Sequence, residues 1–246
     1  MEWQDEGLIL GSRNHGESSA IVEVMTLGHG RHMGLVRGGR SSRMRPVLQP
    51  GNSATVNWRA RLEEHLGSFT LEPGTLRAAD LMQSQIGIYG IQTLASHLRL
   101  LPERDPHPQL YNAAMVLLDN FEHFEIAASL MVRFELALLE ELGFGLDLNS
   151  CAATGETREL TYVSPKSGRA VSREAGKPWA DKMLELPAFL NHHDQEWGKV
   201  PQFLQINLGF KLSSFFLERH IYNPRGILSP DERQGFIKAI TKASHQ

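Results

Sequence analysis

Seven arginines stand between Val24 and Leu62, and no aspartate or glutamate stands among them. They are Arg31, Arg37, Arg40, Arg43, Arg45, Arg59 and Arg61, four of them inside GLVRGGRSSRMRP, residues 34–46. Surface arginines that serve solubility alternate with carboxylates, and a run without them repels itself. Such repulsion is tolerated where an anion is to be bound. Guanidinium forks match phosphate oxygens in pairs, and small neighbouring residues let a polyanion backbone approach. No lysine precedes Lys166, so the fixed cations of this region are all guanidiniums, suited to bidentate phosphate contact and to stacking. The plainer reading is a solvated charge run, and the missing acids weigh against it. The formal net charge is −3, so the basic window is a local feature of a slightly acidic chain.

Other chemistry is sparse. GESSA (16–20) resembles half of a nucleophile elbow but precedes a strand instead of joining a strand to a helix. Gly28-x-Gly30 has no third glycine at the required place and opens no helix, and GGRSS lacks the lysine of a phosphate-binding loop. His192-His193-Asp194 has ligand-type side chains, but adjacent histidines in a polar loop are ordinarily solvated. Cys151 is the only cysteine: it excludes an internal disulfide and cannot alone build a zinc site. We therefore expect no catalytic residue, no metal and no cofactor. Among aromatics of the basic region, Trp3, Trp58 and Phe69 could stack on bases, although Trp58, opposite in phase to Arg59, reads as core. Binding would then be mostly to backbone, with weak sequence preference.

The arginines need a frame. GLILGSR (7–13), SAIVEVMTL (19–27), RHMGLVR (31–37), SATVNWRA (53–60) and LGSFTLE (66–72) favour strands and are separated by Gly, Pro and Asn turns. Five short strands with no room for crossover helices predict a barrel of the OB type. After Asp80 the apolar spacing becomes helical. A helix is expected over 81–101, then LPERDPHP as a break, then one long helix over 109–143 ended by Gly143. Leu130, Phe134 and Leu138 form one apolar row along it. A buried helix is expected at 201–219, and a last one after LSPDE with Ser229 as cap and Pro230 in the first turn. The fold class is α+β: a barrel domain over 1–78 and an all-helical domain over 79–246. An inserted polar, hairpin-bearing loop is expected at about 149–190. No apolar run is long enough for a membrane helix, and the acidic start MEWQDEG is unlike a secretory signal, so a cytoplasmic protein is expected.

These residues, in this order, resemble the RecO family of bacterial recombination-repair mediators. Gly16, Glu17, Ser19, Thr26, Gly30, Gly38, Leu48 and Pro50 stand at positions of its opening pattern. RFELALLEELGFGLDLNSC, YVSPKSGRAV and ERHIYNPRGILS follow in the family's sequence. The resemblance implies an amino-terminal OB-fold, a helical carboxy-terminal domain and a non-enzymatic role in DNA repair and recombination. It implies binding to single- and double-stranded DNA, strand annealing, engagement of the SSB tail, and help with RecR in loading RecA, hence association with the nucleoid. The DNA-binding residues would be the seven arginines. An acidic tail with an apolar end calls for an apolar pocket rimmed by cations, with Arg133, Lys211 and Arg219 as candidates. Many family members carry a four-cysteine zinc module in the inserted loop. Here Cys151 matches its first position while Thr154, Ser172 and Ala175 fill the others, so the module is degenerate. The alternative is a non-catalytic scaffold whose arginine loop grips an acidic protein.

Overall fold

Runs of strand-favouring residues too short for crossovers can hide their backbone edges by closing on themselves. The computed structural model describes residues 1–191 and 200–245. In it β1 (Glu2–His15), β2 (Ser19–Thr26), β3 (Gly30–Val36), β4 (Ser53–Arg59) and β5 (Ser68–Pro73) form a closed barrel in the order β1-β2-β3-β5-β4. β3 meets β5 in parallel through Leu35 and Ser68, and the other neighbours are antiparallel. All five expected strands are present. β1 is longer than expected, because its acidic start alternates with Trp3 and pairs with β4 from Glu2↔Arg59 to Leu8↔Ser53. The interior is filled by Ile9, Val22, Val24, Val36, Val56, Trp58, Phe69 and Leu71. Trp58 is 1% exposed and its indole N–H donates to the Leu66 carbonyl at 3.1 Å. Removing such a ring costs roughly 3–5 kcal/mol. Leu8 and Met25, paired across β1 and β2, are fully buried yet stand outside that interior cluster.

The chain forms two compact units. One comprises Met1–Glu122 and Glu232–Phe236, the other His123–Asp231 and Ile237–Gln246. A division at 78/79 follows element type; compactness keeps α1 (Ala78–Leu81), α2 (Gln85–Leu98) and α3 (Pro108–Leu118) with the barrel. The expected long helix over 109–143 is two helices, α3 and α4 (Phe124–Glu141). The break at 119–123 contains neither Pro nor Gly; it seats Phe121, 4% exposed, edge-on to Phe236 at 6.1 Å. Gly143, at φ +86°, follows the end of α4 as expected.

In the second unit the apolar row of α4 is buried at Phe134 and Leu138, and α6 (Phe203–Leu217) packs along that helix. The fully buried Glu135 carboxylate accepts from the Ser213 hydroxyl between them. The expected hairpin is β6 (Leu160–Val163) with β7 (Ala170–Ser172), and a strand the sequence did not announce, β8 (Leu184–Glu185), completes the sheet on the other edge of β6. A helical turn, α5 (Arg173–Gly176), follows β7. A π turn at Glu218–Tyr222 continues α6 into α7 (Asn223–Arg225). The last helix, α8 (Asp231–Ala243), begins one residue later than expected: Pro230 stands in the cap position and no side chain caps it. Asp231 and Glu232 instead put negative charge on its first turn.

Candidate nucleic-acid interface

Pairing β2 against β3 sets Glu23 opposite Met33 and Arg31 opposite Met25, so Glu23 and Arg31 are diagonal neighbours on one face. The Arg31 guanidinium lies 2.8 Å from Glu23 and 3.4 Å from Glu103, and also donates to the Leu101 carbonyl. Only 13% of its side chain is exposed. The expectation that it lacks a counter-charge fails because the acids were counted along the chain, whereas a sheet brings in a carboxylate from the next strand. Arg99, at the end of α2, takes the other Glu23 oxygen at 2.7 Å and donates to the Leu10 carbonyl.

The remaining six differ. Arg37, Arg40, Arg43 and Arg45 are exposed on the segment after β3, and Arg59 and Arg61 are exposed at the end of β4 and beyond it. Among the described residues no carboxylate pairs with Arg37, Arg40, Arg43, Arg45 or Arg61. Arg59 leans toward Glu2 at 3.9 Å, both well exposed, a contact worth little in water. The segment is pinned. Arg40 N–H donates to Ser18 O at 3.0 Å, and its guanidinium reaches Gly16 O at 2.8 Å. A Cβ on Gly39 would come within 2.8 Å of Ala20 Cβ, so only glycine allows this close approach to β2. Buried Val47 and Leu48 anchor the far end.

A groove of about 580 Å³ brings Arg37 from the end of β3 together with Arg59 from the end of β4. Met44, Phe69 and Leu71 give it apolar surface, and Asn57, Ser68 and Thr70 give it hydrogen-bonding groups. Arg43 and Arg45 flank Met44 in the chain without lining the groove. The site can therefore take phosphates on exposed guanidiniums; its wall also carries the Glu2 carboxylate, and Phe69 and Leu71 line it while almost wholly buried.

Two residues that sequence reasoning passed over shape the neighbouring barrel end. Arg104, at φ +64°, donates to the carbonyls of Glu63 and His65 and so ties down the β4–β5 loop. His32 is 5% exposed; burial, with the Arg104 charge adding, pushes its pKa down to about 4. Neither has a local signal, since each effect depends on a partner distant in the chain.

Comparison with known proteins adds the family. A profile described as "Recombination protein O N terminal" matches residues 1–73, and one described as "Recombination protein O C terminal" matches residues 93–226. The chain belongs to the RecO family. Its relatives include the DNA repair protein RecO of Rhodopseudomonas palustris, 58% identical over 243 residues, covering 99% of this chain and 97% of the relative. That of Brucella abortus is 55% identical with the same coverage, and that of Mesorhizobium japonicum is 57% identical over 242 residues, 98% of this chain and 94% of its own. The likeness thus runs through both units, and it is to proteins of DNA repair.

The zinc module implied for many RecO proteins does not fit this chain. Its four positions supply one thiol, two hydroxyls and the Ala175 methyl group, and hydroxyls and methyls do not hold zinc. Cys151 is buried, with its Sγ accepting from Ser172 N–H at 3.2 Å. Burial pushes its pKa up, but hydrogen bonds from Ser172, Thr154 and Ala153 outweigh that and bring it to about 6. The Ser172 N–H to Cys151 Sγ bond thus ties two of the four positions to each other. His192-His193-Asp194 lies outside the described residues.

The hollows lined by described residues do not bring the three partner-binding candidates together. Arg133 lines a hollow of about 420 Å³ with Leu136, Leu146 and Leu190, but its guanidinium is engaged by the Phe189 carbonyl and ring. Lys211 lines another, of about 530 Å³, with Arg173, Met183, Leu184 and Leu208. Arg219 donates to Pro165 O at 3.1 Å and lies over Phe215, lining neither.

Proposed function

We propose that this RecO-family chain is a DNA-binding recombination mediator. It binds single- and double-stranded DNA through Arg37, Arg40, Arg43, Arg45, Arg59 and Arg61, anneals complementary strands and, with RecR, helps load RecA onto SSB-coated DNA. The observation that carries the reading is a set of exposed guanidiniums on a pinned segment, Arg37, Arg40, Arg43 and Arg45, paired with no carboxylate among the described residues. Neutralising backbone phosphates releases condensed counterions, which gives affinity without sequence preference. The same neutralisation lowers the repulsion between two strands, so annealing needs no bond-making chemistry. For the acidic, apolar-ended SSB tail, the hollow beside Lys211 and Arg173 is the better receptor, because its cations are not committed to Phe189 as Arg133 is.

Fluorescence anisotropy of a labelled single strand across a salt series tests this. With about five phosphates neutralised, log affinity falls with log salt at a slope of roughly −3.5, about a hundredfold from 50 to 200 mM. In Arg40→Ala/Arg43→Ala/Arg45→Ala the slope shrinks by about 2 while the fold stays intact. An unchanged slope rejects this surface. No binding by the wild-type protein even at low salt favours the scaffold gripping an acidic protein.

A further inference from the structure

The barrel end near the start of β1 is closed by a stack of rings. Trp3 lies nearly parallel to Trp58, with centroids 5.6 Å apart at 18°, and to the His29 imidazole, 4.3 Å away at 9°. His32 and Phe69 meet Trp3 edge-on. Trp58 is 1% exposed whereas the His29 side chain is 38% exposed, so the stack runs from the core to solvent and its outermost ring is an imidazole.

That imidazole is held in place. Its Nδ1 lies 2.9 Å from the Asp5 carboxylate, which is itself largely buried and also accepts from the N–H groups of Gly28 and Glu6. The Thr26 hydroxyl accepts from His29 N–H and donates to Gly30 O, fixing the turn on both sides of the ring. With two backbone donors and the imidazole gathered on Asp5, the nearest acid is internally satisfied. Closing a barrel end requires rings that are covered; this ring is oriented and left partly open. The groove lined by Arg37 and Arg59 shares Trp58 and Phe69 with this stack, while Arg59 itself, out of phase with Trp58, lies on the other face of the β1–β4 pair.

We propose that the open surface of His29, backed by Trp3, is a stacking platform for one unpaired nucleobase of a strand bound by the exposed arginines. The proposal rests on the DNA-binding reading above. Bases in a duplex already have both faces covered, so the platform supplies a preference for single strands that phosphate-binding arginines do not. It accepts any base, since each has a π-face.

A single strand carrying one 2-aminopurine tests this, because that base dims when it stacks. On wild-type protein at low salt the probe dims. His29→Ala restores the brightness and weakens single-strand binding roughly five- to tenfold. Duplex affinity and the salt slope stay unchanged. His29→Phe keeps a ring and keeps the dimming, and it carries the test if the alanine variant does not fold. Wild-type affinity and dimming in a folded His29→Ala, or lost dimming in a folded His29→Phe, overturns the platform and leaves the arginine reading standing. Failure of the wild-type protein to bind any oligonucleotide at low salt overturns that reading, and the platform with it.

Discussion

Arg31, Arg77, Arg99 and Arg104 each end on a partner within the barrel unit, while Arg37, Arg43, Arg45 and Arg61 end on no carboxylate among the described residues. The first group does the work of tethers. Glu23 joins Arg31 of β3 to Arg99 of α2, Arg77 lies 2.6 Å from Asp119, and Arg104 holds a loop by its carbonyls. In the second group Arg37, Arg43 and Arg45 are held on a pinned segment that carries no acid, and Arg61 lies exposed beyond β4. Arg40 belongs to both, with a donor on Gly16 O and no acid beside it. Charge along the chain does not separate these groups. What separates them is whether pairing of strands and docking of helices deliver a carboxylate.

The widest divide between the two groups is expected on DNA. Arg43→Glu/Arg45→Glu lowers single-strand affinity at 50 mM salt by about a hundredfold or more, measured by anisotropy. Its unfolding free energy moves by no more than about 0.5 kcal/mol, as for surface changes away from packed features. The tethers behave in reverse. Glu23→Ala leaves Arg31 poorly solvated and unpaired on that side and destabilises by about 3 kcal/mol in urea titration, with the DNA salt slope unchanged. A stable Glu23→Ala would erase the distinction.

An effect of similar size, present only at low pH, reports on Arg104 through His32. Burial, helped by Arg104, holds the folded pKa at about 4, while the unfolded imidazole titrates near 6.5. Above 6.5 both states are neutral. Between 6.5 and 4 the unfolded state binds a proton that the folded state does not, so stability falls as pH drops through that window and levels off below it. The loss is about 3 kcal/mol in all, read as the difference between wild type and His32→Phe in urea midpoints taken from pH 7.5 to 4. Arg104→Ala should narrow the window. The smallest effect concerns metal: EDTA is expected to leave both melting and DNA binding unchanged, and denatured protein to release no stoichiometric zinc in a colorimetric assay.

The barrel was legible because its strands are local runs bounded by glycine and proline turns, and Trp58 gave itself away by its phase against Arg59. Membership of Arg31 in the binding set was not legible, since Glu23 reaches it only through the β2–β3 register. Residues 119–123 carry no breaker; α3 and α4 part there to bury Phe121, a tertiary demand that overrides helix spacing. β8 has two residues, too few to leave a pattern. The His29 stack joins Trp3, Asp5 and Trp58 across three elements, so composition could name Trp3 as available without showing what covers it.

Phe236 is fully buried edge-on to Phe121, Gly235 lies where a Cβ would meet the Tyr89 ring at 2.5 Å, and Glu232 accepts from the Ser96 hydroxyl at 3.0 Å. The unit that begins with the first strand is thus finished by residues 232–236. During synthesis the barrel strands leave the ribosome early, yet α2 and Phe121 keep an uncovered apolar side until the last helix emerges. A nascent chain held short of that helix would remain a substrate for chaperones, and a stop codon just before Asp231 would injure the amino-terminal unit although every barrel residue had been made.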